Sequence, residues 1–161
     1  MDQLSPTLAS GFSRYFEAFA DRTRALVDDL SDDEFWTKPY PYGNSVGHLL
    51  LHVTGNLNYY IGARIANTGY VRDRDREFTD TSRRSREVVL ADLEKAVAVV
   101  VRTIKSQRDE DWVRTYEAAG VDDNTRFSIV LRCAQHFHHH LGQIIYLVNE
   151  HKRQRQPALE Y

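Results

Sequence analysis

Four stretches of this chain repeat large apolar residues at intervals of three, four or seven. That spacing gathers side chains on one face of an α-helix and scatters them on a strand. The first spans residues 5–30, with Leu8, Phe12, Phe16, Phe19, Leu26 and Leu30 in the stripe. The second opens at Asn44 or Ser45, both favoured N-caps, and closes at Asn67-Thr68-Gly69. The third, residues 85–106, carries Leu90, Leu93, Val97, Val100, Val101 and Ile104. Its β-branched centre alone suits a strand, but the flanking Ala91-Asp92-Leu93-Glu94-Lys95-Ala96 predicts helix. The fourth begins between Thr125 and Ser128 and reaches Gln154. Four amphipathic helices joined by loops predict an all-α chain, a four-helix bundle.

The connections carry signals of their own. Ser31-Asp32-Asp33-Glu34 predicts a capping box that opens a short helix over 32–36. Residues 70–84 alternate in charge, which predicts an ordered, ion-paired loop anchored by Phe78. Trp112, Tyr116 and Gly120 lie in a connection expected to hold a short irregular or hairpin segment. No linker separates two halves, so residues 1–161 are expected to form one domain.

Composition narrows the function classes. Basic residues number 21 and acidic ones 23, for a net charge of −2, which gives no general field for nucleic acid or anionic lipid. No apolar run approaches the ~20 residues that span a bilayer. The start of the chain lacks the basic and apolar blocks of a secretory signal. A single cysteine, Cys133, forms no intramolecular disulfide. A cytoplasmic protein with no nucleic-acid or membrane partner is the expectation.

Seven histidines are present, and their spacing singles out two pairs. His136 and His140 lie in the apolar run of the fourth helix; His48 and His52 lie in the second. Residues four apart face the same way, about 40° apart around the axis. Neutral imidazole is the commonest metal ligand among side chains. Ile129, Cys133, Gln143 and Leu147 fall within about 60° of His136 on an ideal helix, so the stripe faces inward. His139 stands at its edge, and His138 points about 160° away. On the second helix, His52 shares its face with Ser45, His48, Asn56, Tyr59 and Ala63. Spacing alone leaves two readings open, a metal held between helices or histidines satisfied within a core. His-Glu-x-x-His is absent, as are the Glu-x-x-His pairs of di-metal bundles on these helices.

Three segments in order, SVGHLLLHVTGNLN at 45–58, RDRDREF at 72–78 and HFHHHLGQI at 136–144, together resemble the DinB-like superfamily. The elements His-x-x-Gly-Asn and Arg-Asp-x-Glu-Phe point to an uncharacterised bacterial branch of it. The ending His-x-x-x-His-x-Gly-Gln is the most specific part. The resemblance implies a four-helix bundle, often a homodimer, with a metal held by three histidines. One comes from the second helix and two from the fourth, which matches His52, His136 and His140. His48 matches no ligand position of the family and is a neighbour or a fourth imidazole.

Such a site leaves the ion its double positive charge. It can acidify a water in an open position to a pKa near ~7 or take a substrate thiol as thiolate. Related proteins are implied to use a low-molecular-weight thiol in transfer or isomerisation. Gln143 reads as a residue that orients a ligand imidazole, or as packing beside Gly142. Asn56 and Tyr59 read as substrate contacts or as satisfied polar groups, Arg72, Arg74 and Arg76 as anion receivers or a loop network, and Cys133 as a buried thiol. The ion is divalent; zinc, nickel and iron all suit imidazole. Two functions follow as expectations: a metal-dependent enzyme acting on a small molecule, as a thiol S-transferase or a hydrolase, or a non-catalytic metal-binding dimeric bundle with a stress or interaction role.

Overall fold

The periodic stretches form helices in a computed structural model that describes residues 4–115 and 125–156. Tyr116 and Gly120 lie outside these residues. Numbered along the chain, the elements are α1 (Leu4–Val27), α2 (Asp32–Trp36), α3 (Val46–Leu57), α4 (Arg76–Thr79), α5 (Arg86–Lys105), α6 (Asp109–Trp112) and α7 (Arg126–Gln154). The second expected helix does not run as one α-helix to residue 67. From Asn58–Ala63 it widens into a π-helical turn.

Helix α1 packs along α5 and α7, and α3 lies against the same two. The core they enclose includes Phe16, Leu50, Leu57, Leu93, Phe137 and Ile144, all fully buried. Each such side chain contributes about 1.5–3 kcal/mol of burial. In α1 the deepest line is Ala9, Ser13, Phe16, Ala20, Thr23 and Val27. The larger Leu8, Phe12, Phe19 and Leu26 flank it, partly buried. Small residues at the seam let α1 approach its neighbours closely, so the big side chains close the two sides.

The ends of the helices are held by specific bonds. At α2, Ser31 Oγ accepts from the Glu34 N–H at 3.2 Å, and the Glu34 carboxylate accepts from the Ser31 N–H at 2.9 Å, a capping box. Helix α1 stops at Val27, short of residue 30, and Arg86 donates to the carbonyls of Val27, Asp28 and Leu30 just there. The Val27 carbonyl is among the acceptors a helix terminus leaves open; the other two belong to the turn that follows. Ser45 caps α3 by accepting from the His48 N–H at 3.2 Å. Thr125 caps α7 by accepting from the Ser128 N–H, and it pairs with Thr115 in an isolated antiparallel bridge. The charged stretch after α3 is ordered, as its charge alternation predicts. Arg84 pairs with Asp92 at 2.8 Å, and the Arg84 carbonyl accepts from Trp36 Nε1 at 2.8 Å. Among the described residues no helix is long and apolar enough to cross a membrane.

Candidate metal centre

Helices α3 and α7 turn three imidazoles toward one another. His52 Nε2 lies 3.0 Å from His136 Nε2, and His140 Nε2 lies 3.1 Å from the same atom. The candidate ligand nitrogens of all three lie within 4.8 Å of one another. His52 is buried; His136 and His140 are half-buried. The i, i+4 register of α7 supplies two of them, and α3 supplies the third across the core.

Hydrogen bonds decide which nitrogen each ring presents. His52 Nδ1 stands 2.7 Å from Glu77 Oε2. An ionised carboxylate only accepts, so Nδ1 donates to it and Nε2 is the nitrogen turned toward the other rings. His140 Nδ1 stands 2.7 Å from Gln143 Oε1, and an amide oxygen also only accepts. Gln143 Nε2 donates in turn to His139 Nε2 at 3.2 Å. Both rings therefore turn Nε2 toward the third. His136 Nδ1 is buried and has no hydrogen-bond partner. Burial, then the neighbouring His140 and His52, lower the pKa of His136 to about 3. Burial likewise lowers that of His140, against the opposing bond to Gln143. Imidazoles turned this way, when neutral, are the donor set that a cation needs.

Glu77 is the residue that sequence reasoning missed. Burial favours its protonated form, but bonds from His52 and from Arg72 outweigh that and hold the pKa below the usual range. Arg72 grips it with two bonds, Nε to Oε1 at 2.7 Å and Nη2 to Oε2 at 2.9 Å. Gly55 on α3 provides the space. A Cβ there would lie 2.0 Å from Glu77 Oε1. The signal was in the chain, because Glu77 and Gly55 both sit in the two elements that carry the family resemblance. Phe78, expected to anchor the loop, lies against the His52 ring with centroids 4.7 Å apart.

The other expected residues divide. His48 is outside the cluster. Its Nδ1 meets Ser45 Oγ at 2.7 Å and its Nε2 the Asp80 carbonyl at 3.0 Å, so both nitrogens are engaged in holding the loop. Asn56 lines a cavity of about 200 Å³ with His52 and His136. Tyr60 lines it as well, whereas Tyr59 does not. The π turn explains the exchange: it takes one more residue per turn, so the face of His52 continues at residue 60 rather than 59. Cys133 also borders the cavity, but burial pushes its thiol up to about 12. His138 points outward, against the Phe19 ring.

An all-α bundle with an inter-helix histidine cluster able to hold a metal is the class that this geometry defines. The chain matches the model of the DinB superfamily over residues 15–144 and belongs to that family. Its fold is similar to the crystal structure of a DinB-like protein from Bacillus cereus, with a TM-score of 0.70 at 14% identity. That match covers 89% of this chain and 92% of the other. A comparison with curated proteins gave no match.

The three imidazoles fit a divalent ion. Two nitrogens bound at about 2.0–2.1 Å to one zinc ion stand at most ~4.2 Å apart; the pairs at 3.0 and 3.1 Å meet that limit, and the bound of 4.8 Å on the third pair, His52 with His140, closes to it with a small ring movement. Glu77 behind His52 forms the carboxylate–histidine pairing that fixes ring orientation and raises ligand basicity in metal sites.

Proposed function

We propose that this chain is a divalent-metal-dependent enzyme that activates a low-molecular-weight thiol for S-transfer, with His52, His136 and His140 as the ligands. The convergence of three Nε2 atoms, two of them with their tautomer set by Glu77 and Gln143, carries the reading. Three protein ligands, with His48 engaged elsewhere, suit an open catalytic site better than a closed structural one. The adjoining cavity gives a substrate room beside the rings. Both observations favour an enzyme over a non-catalytic bundle.

A divalent ion held by neutral imidazoles keeps its full charge and lowers the pKa of a thiol or water drawn to it. The chain's own residues do the rest. Glu77, kept ionised by Arg72, holds the His52 ring and takes up part of the positive charge. Gln143 holds His140 in the tautomer that presents Nε2. Zinc is proposed as the ion, because the rings ask for no redox change and zinc accepts three nitrogens with a fourth position open.

The test is turnover of an electrophile such as 1-chloro-2,4-dinitrobenzene with bacillithiol, mycothiol or glutathione. The rate is expected to vanish in metal-stripped protein, return with zinc, and stay absent in His52→Ala. Normal turnover after stripping overturns the proposal.

A further inference from the structure

Among the described residues, the lining of the cavity beside the cluster has one sign of charge. It includes Arg72, Arg74 and Arg132 together with Asn56, His52 and His136, and no acidic side chain. Arg72 is neutralised by Glu77. Arg74 and Arg132 have no carboxylate partner among the described residues; Arg74 only passes over the Phe78 ring, 5.8 Å from its centroid. Two unpaired guanidiniums thus flank an opening that leads to the imidazoles. The floor holds a further unmet group. Asn56 is 7% exposed, and its Oδ1 is buried with no hydrogen-bond partner. A buried acceptor of this kind is destabilising unless a donor reaches it.

We propose that this cavity binds the carboxylate end of the substrate, with Arg74 and Arg132 as the anion receivers and Asn56 Oδ1 accepting from a hydroxyl or amide N–H next to that carboxylate. Guanidinium matches carboxylate in shape as well as charge, which makes arginine the usual receiver for planar anions. The volume of about 200 Å³ is below the ~300–1,000 Å³ of drug-sized sites, so it takes one end of a small molecule and not a large one. The substrate class that follows is a small hydroxy- or amido-carboxylic acid carrying the reacting group at its other end. The inference rests on the proposed reaction at the imidazole cluster for its meaning, but not for its geometry. Sequence reasoning left Arg74 open between an anion receiver and a loop network; it did not single out Arg132, whose place one turn before His136 brings it to the same opening.

The probe is L-malate, which offers two carboxylates and a hydroxyl, against its uncharged diamide. Full-length, zinc-loaded protein is titrated by calorimetry at low ionic strength. Malate is expected to bind at least about ten-fold more tightly than the diamide, and Arg132→Gln and Arg74→Gln each to weaken malate about five- to ten-fold with zinc content unchanged. Malate binding that both variants leave untouched overturns the proposal, since the ion alone would then hold the carboxylate. Failure of malate to bind also overturns it. The same titration of metal-stripped protein separates the two readings. An arginine-dependent preference that persists there upholds the anion site even if zinc-dependent turnover is absent. A preference lost in both arginine variants but unaffected by His136→Ala upholds it equally.

Discussion

Gly55 and Glu77, on opposite sides of a loop, occupy what would otherwise be the same space: a Cβ on residue 55 would stand 2.0 Å from the Glu77 Oε1 atom. The buried carboxylate can reach His52 only because α3 has no side chain at that point. Alanine within a helix normally stabilises by about 0.5–1 kcal/mol over glycine. Gly55→Ala is expected to reverse that sign and lower the midpoint of urea unfolding. It should also weaken zinc about 10–100-fold, the usual effect of disturbing a partner of a ligand histidine. A stabilised variant with unchanged zinc affinity would contradict the arrangement.

Glu77→Gln keeps the size of the side chain and removes its charge. Arg72 is then left buried without its counter-charge, and breaking a buried pair in this way costs about 3–5 kcal/mol. Zinc affinity, read by competition with a chromophoric chelator, is expected to fall by about 10–100-fold. His136→Ala should lose most of the bound zinc outright, and elemental analysis of protein made without a histidine tag reads both.

The metal-free chain should become less stable in acid. The pKa of His136 is lowered to about 3 in the folded state, and that of His140 is also lowered. The unfolded chain, with histidine near ~6.5, therefore binds protons first. Stability from this source is complete above about 6.5 and is lost as pH falls toward the folded values. Urea unfolding of stripped protein at several pH values between 7.5 and 5 should show the decline, and His136→Leu should flatten it. Glu77 adds a separate loss at lower pH, as its depressed carboxyl is protonated.

Cys133, with its thiol pushed up to about 12 by burial, should resist thiol reagents at neutral pH. Ellman's reagent is expected to label the native protein only after denaturant is added. Prompt labelling of native protein would show the residue to be accessible to the cavity.

Much of this molecule was legible in its sequence, for a definite reason. The four helices announce themselves because apolar spacing such as Leu90, Leu93, Val97 and Val100 is a local property, and local periods survive into the fold. The capping box at Ser31 and the caps at Ser45 and Thr125 are equally local. The pairing of His136 with His140 follows from helix geometry, but their approach to His52 spans 84 residues and no period encodes it. Glu77 went unassigned for the same reason: its tie to His52 crosses 25 residues, and an acidic residue in a run of charges looks like surface. The exchange of Tyr59 for Tyr60 has another origin. A π turn has no apolar signature, so an ideal 3.6-residue helix extended past residue 57 points to Tyr59, whereas Tyr60 lines the cavity.

That widened turn at Asn58–Ala63 follows directly on the segment that carries the cluster. Upstream of it the helix places His52 and Asn56, and the turn itself brings Tyr60 to the same cavity. A residue inserted into or deleted from the turn would change which aromatic faces the cavity while leaving the upstream register of His52 as it is.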